Sequence, residues 1–113
     1  MPADHWTNQV AIAVTVTDAK GVITEMNPTS VATFATDGGA KLIGSDVLAC
    51  HPEPSRTQLA SMYQARQPNH YTIRKNGQRK LIHQMPLFKE GVFHGYVEIS
   101  IPIPDQLPHF DRD

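Results

Sequence analysis

Residues 16–34 constrain the fold more than any other stretch of the chain. Apolar residues alternate with small or polar ones over residues 11–17, which predicts a strand. Asp18 and Gly21 then favour a tight turn, because Asp bonds nearby backbone amides and Gly adopts a positive φ. A second short strand follows, and Asn27 precedes a proline, the typical start of a helix. The predicted order is strand, turn, strand and helix.

The rest of the chain adds a helix and a meander of strands. Residues 56–66 carry apolar side chains at helical spacing, after a short helical segment. The dipeptide Asn-Gly at residues 76–77 predicts a two-residue hairpin turn between strands at residues 70–75 and 78–88. A last strand, residues 92–101, ends at prolines, which cannot donate to a β-ladder. The complete predicted order is ββαααβββ.

This order resembles the PAS family of small sensory α/β modules. A family motif, TDxxGxIxxxNxxxxxxF, joins the first two strands to the first core helix. The matching positions are Thr17, Asp18, Gly21, Ile23, Asn27 and Phe34. The resemblance covers residues 10–101 and implies an α+β fold, with a five-stranded antiparallel sheet and short helices packed on one face. We expect residues 1–9 to form an N-terminal cap segment and residues 102–113 a proline-rich C-terminal tail.

Composition excludes several classes of function. The 113 residues suit one domain, and the net charge of −1 gives no electrostatic basis for binding nucleic acid or an anionic membrane. The single cysteine, Cys50, permits no intramolecular disulfide, which fits a reducing compartment. No apolar run approaches membrane-spanning length. These features predict a cytoplasmic protein.

The resemblance implies a ligand cavity between the helices and the sheet. A two-residue turn at residues 76–77 pairs Tyr71 with Ile82 and turns Ile82 and Gln84 inward, where Gln84 needs hydrogen-bond partners. A three-residue turn reverses every side chain and turns His83 inward instead. The candidate cavity residues are His51, Met62, Tyr71, Ile73, Ile82 and Gln84.

The last strand has two chemically different faces. One set of side chains is expected in the core: Phe93, Val97, Ile99 and Ile101. The alternate set is expected on the outer face: His94, Tyr96, Glu98 and Ser100. The resemblance implies homodimerisation through that outer face and the N-terminal cap. The candidate interface residues are Trp6, Leu81, Met85 and Tyr96, so Tyr96→Lys is expected to give monomers.

The residues do not indicate a single cofactor. None of the six histidines has the spacing of a zinc site. Some PAS domains bind haem through one axial histidine, commonly on the helix before the third strand. That helix has no histidine here, but His51 lies just before it, and His83 reaches the cavity in the reversed register. Flavin is disfavoured, because Cys50 lies in Ala-Cys-His-Pro rather than in the Asn-Cys-Arg-Phe-Leu-Gln motif of light-oxygen-voltage domains.

The sequence therefore predicts a sensory or adaptor domain that binds a small molecule in its core, forms a homodimer, or docks on a separate signalling protein. The proline-rich end makes a coiled-coil exit helix unfavourable, so we expect the output on another protein, or a chain excised from a longer one. The residues also allow two alternatives. One is a haem-based gas or redox sensor that uses His51 or His83. The other is a small enzyme that uses His51 or Glu53 in the cavity, although we expect no enzymatic activity.

Overall fold

The computed structural model describes residues 4–50 and 52–113. A 3₁₀ turn, Trp6–Asn8, precedes the first hairpin. That hairpin consists of β1 (Ala13–Thr17) and β2 (Ile23–Met26). The helices are α1 (Pro28–Thr33), α2 (Val47–Cys50) and α3 (Ser55–Ala65), with two 3₁₀ turns, Ala35–Asp37 and Gly39–Leu42, between α1 and α2. The final strands are β3 (Asn69–Lys75), β4 (Gln78–Lys89) and β5 (Val92–Ile103).

The five strands form one antiparallel sheet in the order β2-β1-β5-β4-β3. This confirms the predicted fold class. Strand β5 runs two residues farther than predicted, with Pro102 opposite Lys80 and Ile103 opposite Arg79. From residue 104 onward the chain forms no helix or strand. In the part of the chain that the structure describes, no helix is both long and apolar enough to cross a bilayer.

Asn27 ties the N-terminal segment, β1 and α1 together. Its side chain is completely buried. Its Oδ1 atom accepts hydrogen bonds from the amides of Ser30 and Val14, each at 2.9 Å. Its Nδ2 group donates to the carbonyls of Thr7 and Ile12, each at 2.8 Å. The predicted N-cap is confirmed, and the same amide also joins three segments of the chain.

The hairpin of β3 and β4 has the predicted two-residue turn. Asn76 and Gly77 have φ values of 53° and 77°, as such a turn requires. Tyr71 therefore lies opposite Ile82. The register turns Ile82 towards the helices. It turns His83 to the outer face of the sheet, where His83 lies opposite Ile99 of β5. The reversed register, in which His83 reaches the cavity, is wrong.

The predicted faces of β5 are wrong for most of the strand. Tyr96 is only 3% exposed, and its hydroxyl lies 2.7 Å and 2.8 Å from the carbonyl oxygens of Met62 and Gln67. Glu98 and Ser100, on the same face, line the space beneath the helices. The apolar side chains expected in the core lie instead on the outer face: Val97, Ile99 and Ile101.

A β-bulge explains part of this error. Leu87 lies opposite Gly95 while the next residue, Phe88, lies opposite Phe93, so His94 is an extra residue in β5. An extra residue reverses the alternation of side chains beyond it. Phe93 consequently faces the same side as Tyr96, and the two rings are 5.6 Å apart.

Candidate ligand cavity

The main cavity lies between the concave face of the sheet and the helices, with a volume of about 330 Å³. Small-molecule sites in proteins begin near this size, at roughly 300 Å³. Its apolar wall is formed by Ala13, Ile23, Met26, Phe34, Leu42, Val47, Tyr71, Ile73 and Ile82. Its polar and charged wall is formed by Thr15, Thr33, Ser45, Lys75, Lys80, Glu98 and Ser100. A largely apolar cavity with a few polar groups is the usual composition of a ligand site.

The structure divides the predicted cavity residues between two spaces. Tyr71, Ile73 and Ile82 line the main cavity. Met62 and Gln84 instead line a groove of about 460 Å³ beside α3, which Tyr71 also borders. The remaining candidate, His51, lies outside the described residues. Tyr71 therefore stands where the two spaces meet.

Sequence reasoning missed the charged residues of the cavity. Lys75 and Lys80, close to the hairpin turn, were not among the candidate cavity residues, and Glu98 was assigned to the outer face. A signal for Lys80 was available, because the two-residue turn places it opposite Ile73 and hence on the same face as Ile82. Glu98 could not be placed in this way, because its position depended on the face of β5.

A row of polar side chains crosses three strands at the edge of this site. The Nδ2 group of Asn69 donates to Gln84 Oε1 at 2.9 Å. The Nε2 group of Gln84 in turn donates to Glu98 Oε1 at 3.2 Å. Gln84 is thus turned inward, as predicted, and protein groups supply its partners. The row holds the Glu98 carboxylate in the wall of the cavity.

Two tyrosines supply phenol groups near this carboxylate. Tyr63 is buried, and its hydroxyl hydrogen-bonds to the hydroxyl of Thr17. Burial raises the pKa of Tyr63, against the lowering effect of that hydrogen bond. Burial also raises the pKa of Tyr71, and the nearby charge of Glu98 adds to the increase. Both phenols therefore stay protonated at neutral pH, which suits hydrogen bonding and opposes action as a base.

Of the residues assigned to the enzyme and haem alternatives, the two that the structure describes, Glu53 and His83, lie outside the cavity. Glu53 lies at the start of α3 on the surface, where its carboxylate contacts Thr57 and Arg56, the latter at 3.8 Å. Its expected place in the cavity is wrong. His83 lies on the outer face, so its candidate role as an axial haem ligand inside the cavity is also wrong.

The candidate interface residues divide in a similar way. Leu81 and Met85 lie on the outer face, opposite Ile101 and Val97 of β5. Trp6 is 59% exposed, and its ring contacts the ring of His5. Tyr96, by contrast, is buried beneath the helices, so its assignment to the outer face is wrong.

The sequence matches no family model and no curated protein, but solved structures match the fold. A sensory box sensor histidine kinase from Vibrio cholerae is 15% identical, with 87% of this chain and 86% of that chain covered and a TM-score of 0.65. The PAS domain of BvgS from Bordetella pertussis is 16% identical, with 88% and 82% covered and a TM-score of 0.61. The Aer2 receptor of Vibrio cholerae, described as a dual PAS-heme oxygen sensor, is 18% identical, with 82% and 95% covered and a TM-score of 0.63. At these identities the likeness concerns the fold, and the chain has the fold of a PAS domain.

Proposed function

We propose that this chain is a sensory PAS domain that binds a small molecule in its main cavity and has no enzymatic activity of its own. The observation that carries the proposal is the cavity of about 330 Å³ between the sheet and the helices, with its mixed apolar and charged wall. Related folds in a sensor histidine kinase and a receptor support a role in signalling. The output passes to a signalling partner.

The wall of the cavity favours a ligand with two chemically different ends. Ile23, Met26 and Ile82 present apolar surface to the body of such a molecule. Lys80 and Glu98 present charged groups to a polar end. Burial of the apolar part supplies most of the affinity, while the polar groups fix the orientation of the ligand.

Native mass spectrometry of the purified protein, compared with the denatured mass, tests the proposal. An additional mass that is lost on denaturation identifies the ligand by its value and distinguishes haem from flavin or a metabolite. A purified protein that carries no additional mass, and binds nothing from a metabolite library, contradicts the proposal.

A matched pair of substitutions at one position tests the placement of the ligand. Ser100 is half-buried in the cavity wall. Ser100→Phe fills the cavity and is expected to abolish binding, whereas Ser100→Ala leaves the space open and is expected to retain it. If the Phe variant is folded and binds as well as the wild type, the ligand lies elsewhere.

We further propose that the protein forms a homodimer through the outer face of the sheet. Half-exposed apolar side chains lie next to one another there: Leu81, Met85, Val97, Ile99 and Ile101. A contiguous apolar surface of this kind is commonly an association site. The exposed ring of Trp6 supplies an additional anchor from the N-terminal segment.

Sedimentation velocity tests the interface. Met85→Lys and Leu81→Lys place a charge in the proposed contact and are expected to give monomers. Gln64→Lys, on the exposed side of α3, is the control and should leave the dimer intact. A wild-type monomer, or an unchanged dimer in both face variants, contradicts this placement.

A further inference from the structure

We propose that His70 and His83 form a binding site for a divalent transition-metal ion on the outer face of the sheet. The two residues lie directly opposite each other in β3 and β4. Their Nδ1 atoms are 2.7 Å apart, and their ring centroids are 4.7 Å apart with the planes at 71°. The two Nδ1 atoms therefore lie together at one location, which solvent reaches in the single chain. The site is separate from the cavity and does not depend on its ligand.

The distance between the two nitrogen atoms suits a shared ion. Without a metal, one Nδ1 carries a proton that it donates to the other. A neutral imidazole can carry its proton on Nε2 instead, which leaves both Nδ1 lone pairs available to a metal. With metal–nitrogen bonds of about 2.0–2.1 Å, two ligands at octahedral or tetrahedral angles lie roughly 2.9–3.4 Å apart. The two nitrogen atoms need to separate by only about 0.2–0.7 Å, and each ring has to turn so that its lone pair is directed at the ion rather than at the other nitrogen.

The chemistry of the donor pair selects the class of metal. Imidazole nitrogen suits Zn²⁺, Ni²⁺ and Cu²⁺, whereas Mg²⁺ and Ca²⁺ prefer oxygen ligands. Among residues 4–50 and 52–113, no group of three or more His, Cys, Asp or Glu side chains is placed to hold a metal ion. Water therefore completes the coordination in the single chain. Affinity is expected to follow the general order for nitrogen ligands, with Cu²⁺ the tightest.

The position of the pair gives the metal a structural consequence. Strand β3 lies at the edge of the sheet beside β4, and all of its seven residues are exposed. A metal between His70 and His83 ties the start of β3 to β4 on the outer face. The Asn69–Gln84 hydrogen bond already ties the same two strands on the inner face. Tyr71, the residue after His70, lines the cavity. The metal therefore stabilises one wall of the cavity.

Calorimetric titration of the chelator-treated protein with Ni²⁺ tests the site. The wild type is expected to bind one Ni²⁺ per chain, and His70→Asn and His83→Asn are each expected to weaken binding at least tenfold. His94→Asn is the control, because this exposed histidine of β5 has no histidine opposite it. Equal affinity in the wild type and in both pair variants overturns the proposal, as does loss of binding in the control.

A spectroscopic measurement on the unaltered chain makes the test independent of the folding of the variants. Electron paramagnetic resonance of one equivalent of Cu²⁺ reports how many imidazole nitrogen atoms bind the ion. Two coordinated imidazoles support the site, and their signal should be lost in the His83→Asn variant. A single coordinated imidazole, or a two-imidazole signal that persists in that variant, overturns the proposal.

Discussion

Replacing Asn27, the N-cap of α1, by alanine is expected to destabilise this fold more than substitution of any one small side chain in the preceding hairpin. The Asn27 side chain uses all of its hydrogen-bonding capacity inside the protein, with two amides donating to it and two carbonyls accepting from it. Alanine satisfies none of these four backbone groups. Three of the four bonds are buried, and the fourth, to Ile12, is partly buried.

The magnitude follows from the number of groups left without a partner. Each buried polar group that loses its partner costs about 1–3 kcal/mol, and water entering the space left by the side chain recovers a part of that cost. We expect a net loss of about 3–5 kcal/mol in the free energy of unfolding. In a domain of this size that corresponds to a fall of roughly 10–20 °C in Tm. The loss is a large share of the 5–15 kcal/mol that typically stabilises a domain.

Urea denaturation of three variants separates the helix cap from the rest of the network. Asn27→Ser keeps an acceptor for the start of α1 but cannot bridge to the N-terminal carbonyls, so it should recover only about 1 kcal/mol relative to alanine. Thr29→Ala, which removes one partly buried hydrogen bond to Val10, is the control and should cost about 1 kcal/mol. An Asn27→Ala variant that loses no more stability than Thr29→Ala, or a serine variant with full stability, would refute this role of Asn27.

Three further outcomes are expected. Gly95→Ala should leave no folded protein by circular dichroism, because Gly95 has a φ of 130° and a Cβ atom there would lie 2.0 Å from a backbone oxygen. Gly77→Ala is the control: its Cβ atom would lie in open space, and the substitution should cost only about 1 kcal/mol. Tyr96→Phe should lower the free energy of unfolding by about 1 kcal/mol, because it removes the tyrosine hydroxyl that bonds backbone carbonyl oxygens. Tyr96→Lys should unfold the protein rather than give folded monomers in sedimentation. Tyr63, Tyr71 and Tyr96 all have a raised pKa, mainly through burial, so the unfolded chain ionises first and stability should fall as pH rises above about 10. A tyrosinate absorbance titration in which all three phenols ionise at their ordinary pKa before unfolding would contradict the last expectation.

Local signals were sufficient where short-range chemistry determines the structure. Asn76-Gly77 adopts positive φ at both residues, and this turn determines the pairing of β3 with β4 along its full length. The same register places the side chain of Gln84 on the inner face, as predicted. Asn27 next to Pro28 marked the start of α1 correctly. Each of these features depends on a few neighbouring residues, so one sequence was enough to predict it.

The faces of β5 could not be predicted because the usual rule assumes a solid core. Alternation assigns apolar side chains to the interior and polar ones to solvent. Here the interior contains a cavity, so polar side chains such as Glu98 and Ser100 face inward. The apolar side chains of Val97 and Ile99 cover the outer face instead. Phe93 does face the helices, as predicted, but the bulge before Tyr96 reverses the alternation, so the position of Phe93 did not indicate the faces of the later residues.

The exposed edge strand has a consequence for the rate at which the proposed ligand would enter and leave. The cavity side chains that β3 contributes, Tyr71 and Ile73, remain 41% and 37% exposed, while Ile82 on the neighbouring strand is 5% exposed. Segments with few neighbours open at lower free-energy cost than central strands do. Exchange of the ligand should therefore proceed by local opening of β3, without separation of β1 from β5. Residence time and affinity therefore become separable properties. Substitutions of β3 residues that do not line the cavity should alter the lifetime of the complex, and substitutions of cavity residues on the central strands should alter its strength.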